Sequence, residues 1–130
     1  MKKFFVLLAL LSLLTVLVSA CLDIVPSSSN TTNSTPTVHM NETNFVTNTI
    51  MINKGQTLNL VDDASVVHII QNGSWDQNGS PRPVTETGAP HVDQQFNGND
   101  THTIGPFTTA GTFHFYCTIH TGMNLTVTVK

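Results

Sequence analysis

Residues 111 to 123 read Gly111-Thr112-Phe113-His114-Phe115-Tyr116-Cys117-Thr118-Ile119-His120-Thr121-Gly122-Met123. The stretch up to Cys117 alternates, with Phe113, Phe115 and Cys117 on one face and His114 and Tyr116 on the other. That is the period of a half-buried strand. From Asn124 to Lys130 the alternation resumes, and Leu125, Val127 and Val129 share a face. Cys117 to Met123 is therefore a tight loop between two strands. It carries a thiol, an imidazole and a thioether, and Gly122 marks a turn beside Met123.

Working outward, the same short-period pattern recurs upstream. Val38 and Met40 begin a strand. Phe45 to Ile52 follows, with Ile50 and Ile52 on one face, and Lys54-Gly55-Gln56 is a turn. Thr57 to Asp62 alternates with Leu58 and Leu60 inward. Val66 to Gln71 is an almost continuous apolar run interrupted by His68. Asn72 to Asn99 is polar and rich in Gly and Pro, a loop with one short strand at Val92 to Phe96. Thr101 to Phe107 resumes the strand pattern, and Thr109-Ala110-Gly111 is a turn. No helical periodicity appears after residue 21, and no internal repeat. Seven to eight short strands over residues 37–130 predict one all-β domain, a Greek-key β-sandwich.

Composition agrees. Thr and Asn, residues of strands and turns, are abundant. Two Cys cannot make a disulfide scaffold. The net charge is −3, and it becomes more negative without Lys2 and Lys3. Such a chain has no basic excess to neutralise a phosphate backbone, so nucleic-acid binding is not expected.

The N-terminal segment has a different character. Lys2 and Lys3 precede an apolar run from Phe4 to Val18, broken only by Ser12 and Thr15. Small residues Ser19 and Ala20 lead to Cys21. This is a signal-peptide pattern, residues 1–20. Its ending, Leu17-Val18-Ser19-Ala20-Cys21, resembles the bacterial lipobox, in which the Cys is lipidated. An uncleaved membrane anchor has no use for a small-small-Cys ending, and the run is short for a span. Residues 21–36 then form a Ser/Thr/Asn-rich linker without apolar side chains to bury through its middle. The expected location is outside the cytoplasm, tethered to the cell membrane through Cys21.

The loop residues supply the chemistry. Thiolate, imidazole and thioether are soft ligands that select copper, and two His with one Cys and a weak axial Met form a blue-copper set. The loop has one His, so a second must come from elsewhere. His68 is the best candidate, because an imidazole inside an apolar strand needs a partner. The bland alternatives are a buried inert thiol at Cys117, core filler at Met123 and a satisfied core histidine at His68.

Cys-x2-His-x2-Met after the strand Gly111–Cys117, with Gly105-Pro106-Phe107 before it and the upstream His68, resembles the small blue copper proteins, the cupredoxins. The loop length is similar to amicyanin; plastocyanin has two more residues between His and Met. The resemblance covers Thr37 to Lys130. It implies His68, Cys117 and His120 as equatorial copper ligands and Met123 as the axial one. It also implies a role for Tyr116 on an electron path to the surface. Two positions depart from the family: Ile69 stands where Asn usually follows the first His, and Thr121 stands where Pro often follows the second. The other histidines, His39, His91, His102 and His114, are expected at the surface, and Trp75 in a packing role.

No carboxylate pair, Gly-x-Ser-x-Gly or phosphate-binding loop stands out, and there is no His-x-His pair for further coppers, so an enzyme is not expected. The resulting expectation is a monomeric carrier of single electrons, using one copper that cycles between Cu(I) and Cu(II), with redox proteins as partners. The alternative is a module that sequesters or delivers copper without a redox partner.

Overall fold

The computed structural model describes residues 34–130. The expected signal peptide, the lipidated Cys21 and nearly all of the expected linker lie outside the described residues. Nine strands follow one another: β1 (Thr37–Met40), β2 (Thr49–Ile52), β3 (Leu58–Asp62), β4 (His68–Trp75), β5 (Pro81–Pro83), β6 (Asp93–Phe96), β7 (Thr101–Ile104), β8 (Gly111–Cys117) and β9 (Asn124–Val129).

They form two sheets. The smaller has the order β1-β3-β7, with β1 parallel and β7 antiparallel to β3. The larger runs β2-β9-β8-β4-β5, with β6 also on β4, and β2 lies parallel to β9. Alternating side chains of both sheets fill the core of this β-sandwich. Met40, Leu58 and Leu60 come from the small sheet; Ile70, Phe96, Phe115, Leu125 and Val127 come from the large one. Phe107 joins them, packing edge-on against Phe115 with ring centroids 6.0 Å apart.

Three elements differ from the sequence expectation. The segment from Phe45 to Ile52 is not one strand. Asn41 Oδ1 accepts the N–H groups of Thr43 and Asn44, which turns the chain back so that Phe45 bridges to Met40 and enters the core. Only from Thr49 does β2 begin. Strand β4 starts at His68 and continues well past Gln71, through a stretch whose polarity reads as loop. Its neighbours make this possible: β8 lies on one side, and β6 then β5 on the other. The amide of buried Asn72 is satisfied by Pro90 O (2.9 Å) and the Val92 N–H (2.7 Å), so its burial costs little. The short β5 contains two prolines and lies at a sheet edge, where a missing N–H is tolerated.

Candidate metal centre

Strand β4 opens with His68, and β8 ends with Cys117, two neighbouring antiparallel strands in the large sheet. Ile70 is registered opposite Cys117, so His68 lies two residues beyond the end of β8, level with the loop that follows it. The loop after Cys117 is closed by two main-chain bonds: the Met123 N–H to His120 O (3.2 Å) and the Cys117 N–H to Met123 O (3.0 Å). The first of these spans a turn whose third residue, Gly122, has φ +82°. A side chain there would be strained, which explains the glycine.

These elements bring together the atoms of His68, Cys117 and His120, all within 4.8 Å of one another. His120 Nδ1 lies 3.1 Å from His68 Nδ1 and 3.3 Å from Cys117 Sγ. Among the described residues this is the one such group. His68 and Cys117 are fully buried, and His120 is half-buried.

The orientation of His68 is fixed from behind. Its Nε2–H donates to the main-chain carbonyl of Asn41 (3.0 Å), which leaves the Nδ1 lone pair facing the site. A second ring nitrogen only 3.1 Å away and a thiol beside it make a pocket for a single electrophile. Two imidazole nitrogens bound at about 2 Å to one metal ion lie roughly 3.3 to 3.6 Å apart, so the donors fit a metal. Asp62, at the end of β3, is also close: its Oδ1 is 3.8 Å from His68 Nε2 and accepts the Ala64 N–H, and its Oδ2 is buried without a partner. The sequence reading missed this carboxylate, although the alternation Leu58, Leu60, Asp62 placed it inward.

In the copper-free chain, burial lowers the His68 pKa below its ordinary value, and the neighbouring His120 adds to this. The Asp62 carboxylate and the Asn41 carbonyl oppose it. A histidine kept neutral is ready to ligate.

Met123 is 1% exposed and anchors its loop through its carbonyl. Ile69 is half-buried, and its main-chain carbonyl accepts the Thr118 N–H at 2.8 Å. Main chain thus ties β4 to the loop after Cys117, at a position whose own side chain cannot hydrogen-bond. Tyr116 lies on the outer face of β8, yet is only 3% exposed, because the Trp75 ring covers it edge-on at 5.8 Å. Trp75 is part of β4 itself. His39 pairs with Asp63 (2.8 Å), His102 with Asp100 (3.4 Å) and His114 with Glu86 (2.6 Å), all away from the cluster; His91 is exposed.

The family described as copper binding proteins, plastocyanin/azurin family, matches residues 32–130. No curated protein matches the chain. Solved structures with the same fold include a novel purple cupredoxin from Nitrosopumilus maritimus, 21% identical, covering 73% of this chain and 99% of that one with a TM-score of 0.55. Amicyanin from Paracoccus versutus is 18% identical, covering 75% of this chain and 83% of that one with a TM-score of 0.57. A reduced amicyanin variant gives 16% identity, the same coverage and the same TM-score. With its soft donor set, its nine strands and this match across the whole β domain, the chain belongs to the plastocyanin/azurin family of copper-binding proteins.

Proposed function

We propose that the protein is a single-electron carrier with a type 1 copper site, working outside the cytoplasmic membrane and held to it through lipidated Cys21. The observation that carries this reading is the buried His68–Cys117–His120 cluster, with Met123 closing the same loop. Copper bound there supplies a Cu(I)/Cu(II) couple. The protein's part is rigidity. Asn41 fixes one imidazole, the β4–β8 pairing fixes the thiolate, and two main-chain bonds fix the loop. Ligands that cannot move give both oxidation states one geometry, so little rearranges when an electron passes. Thiolate and thioether suit Cu(I) and imidazoles suit Cu(II), which favours retention in both.

Half-buried His120 gives the electron an exit. Beside it in the loop Ile119, Thr121 and Gly122 are exposed and uncharged, with Ile119 51% exposed. A small, weakly polar patch suits brief docking by redox partners. The test is to cycle the blue protein between ascorbate and ferricyanide with a Cu(I) chelator present, and to measure electron self-exchange. Stable colour and fast exchange are expected. Loss of copper at the first reduction would replace this reading with copper sequestration or delivery. Cys117→Ser should abolish the thiolate-to-copper band; an intense band that survives would remove Cys117 from the site.

A further inference from the structure

Trp75 is tied to the copper-ligating cysteine by a direct hydrogen bond. Its indole Nε1–H donates to the main-chain carbonyl of Cys117 at 2.8 Å. From that oxygen the run O=C–Cα–Cβ–Sγ leads to the thiolate, every link covalent. The indole is half-buried, whereas Tyr116, next to Cys117 in sequence, lies beneath it almost wholly shielded. The outermost aromatic group connected to the thiolate is therefore Trp75.

Its position is held firmly. The Asn124 side chain clamps the main chain of Trp75 on both sides, accepting its N–H at 2.7 Å and donating to its carbonyl at 3.0 Å. On the other side Trp75 pairs with Pro81 of β5. Beyond it the 76–80 turn is closed by Asp76, whose Oδ1 accepts the Asn78 and Ser80 N–H groups and whose Oδ2 pairs with Arg82 at 2.8 Å. A packed indole N–H needs some acceptor; here the acceptor is the carbonyl of the cysteine itself.

Building on the electron-carrier reading, we infer that Trp75 is a second electron exit, coupling the Cys117 thiolate to the surface of the β4–β5 hairpin through the indole–carbonyl hydrogen bond. The step is tunnelling. One electron leaves Cu(I), giving Cu(II), and reduces an oxidised acceptor docked at the hairpin; the indole keeps its proton and all its electrons. This surface is polar, with exposed Gln77 and Asn78 and the Asp76–Arg82 pair, unlike the uncharged rim at His120. The 76–80 turn adjoins that rim, with Gly79 beside the Thr121 side chain, so the two exits open onto neighbouring surfaces of different polarity.

The experiment uses the full chain in a Cys21→Ser background, labelled with a photo-oxidisable ruthenium complex on Gln77→Cys, beyond Trp75, or on Thr43→Cys, in the loop behind His68. The rate from reduced copper to the oxidised label is measured with and without Trp75→Phe, which keeps an aromatic ring and lacks the N–H. Trp75 is the one tryptophan of the chain, so biosynthetic replacement by benzothienylalanine provides a shape-preserving second variant. Both changes should slow transfer to the position-77 label severalfold. The rate to the position-43 label, the visible band and the reduction potential should stay as they were. In the copper-free wild type, the indole N–H resonance should exchange slowly with solvent. An unchanged rate at position 77, an equal loss at both labels, or a shifted potential that accounts for the loss would each overturn the inference. If wild-type protein loses copper on reduction, the electron-carrier reading fails first; fast wild-type exchange with an indifferent Trp75→Phe removes only the second exit.

Discussion

The carboxylate of Asp62 lies 3.8 Å from Nε2 of His68, both side chains fully buried and on different sheets of the sandwich. One carboxylate oxygen accepts the Ala64 N–H and the other has no partner. His68 links this group to the site, since its opposite nitrogen faces His120 and Cys117. Negative charge behind a copper ligand stabilises Cu(II) over Cu(I). Asp62→Asn should therefore keep the colour and raise the reduction potential, by an amount equivalent to on the order of 1 to 2 kcal/mol for charges separated by one imidazole at an effective dielectric near 20. Voltammetry of the purified variant checks this. A potential that stays put or falls would mean that Asp62 puts no negative charge on the site.

The copper-free protein should lose stability in acid through His68. Burial holds its folded-state pKa below the ordinary 6.5, so the unfolded chain takes up this proton first as the pH falls. The stabilisation is whole above about pH 6.5 and declines as pH drops from there towards the folded-state pKa. Melting of the copper-free chain at about pH 7.5 and about pH 5.5 should show a fall, and His68→Gln should make that fall smaller. Copper binding should weaken over the same window, because the proton competes for the ligand nitrogen. A copper-free melting point that rises with acid would contradict this assignment.

Gly73 is a position where any side chain should fail. It has φ +125° in the middle of β4, and a Cβ there would run into the Arg82 carbonyl oxygen of β5. Gly73→Ala should cost on the order of 2 to 3 kcal/mol. For a domain of this size that lowers the melting point by about 10 °C or more. Gly122→Ala has open space around its Cβ but still carries φ +82°, so its cost should be smaller, and it should act on the ligand loop. Calorimetry of the two variants checks the order.

The strands carrying the candidate ligands were legible because their side-chain period matches their burial: Phe113, Phe115 and Cys117 face the core as alternation requires. The chemistry of the loop was legible for another reason, since Cys117, His120 and Met123 lie within one turn of chain. Long-range partners were less so. Nothing local marks the carbonyl of Asn41 as the group that holds His68, or Cys117 as the partner of the Trp75 indole, because each bond joins segments far apart in sequence. The polar half of β4 read as loop because Asn72 and its neighbours look solvent-facing. Their hydrogen bonds to Pro90 and Val92 come from the tertiary fold. Tyr116 shows the same limit: alternation places it outside, and a neighbouring ring buries it.

The membrane tether rests on Val18-Ser19-Ala20-Cys21, outside the described residues. Expressed in a bacterium that processes lipoproteins, the full chain should sediment with membranes and need detergent for release, and Cys21→Ser should not be lipidated. Mass spectrometry of the mature N-terminus reads the modification directly. Wild-type protein recovered without detergent and with an unmodified Cys21 would remove the anchor and leave the copper domain unaffected.

The copper site should respond to Met123 and Ile69 in separable ways. Met123 is buried, and its carbonyl holds the Cys117 N–H, a bond that any side chain at 123 preserves. Met123→Gln therefore changes the proposed axial donor and leaves the loop closed. A harder oxygen favours Cu(II), so the potential should fall while copper is retained. Ile69 contributes differently. The bond that ties it to the ligand loop, Thr118 N–H to Ile69 O, is main chain and survives substitution. Ile69→Asn should therefore not tighten a loose site; it should add polarity beside one already tied, and lower the potential through the surroundings alone. If Met123 is the axial donor, the two variants should differ in spectrum: the charge-transfer band should shift in Met123→Gln and stay in place in Ile69→Asn. Voltammetry and absorption of both, and of the double variant, check the pattern. A double variant whose potential falls by no more than the larger single shift would show that the two residues act through one cause.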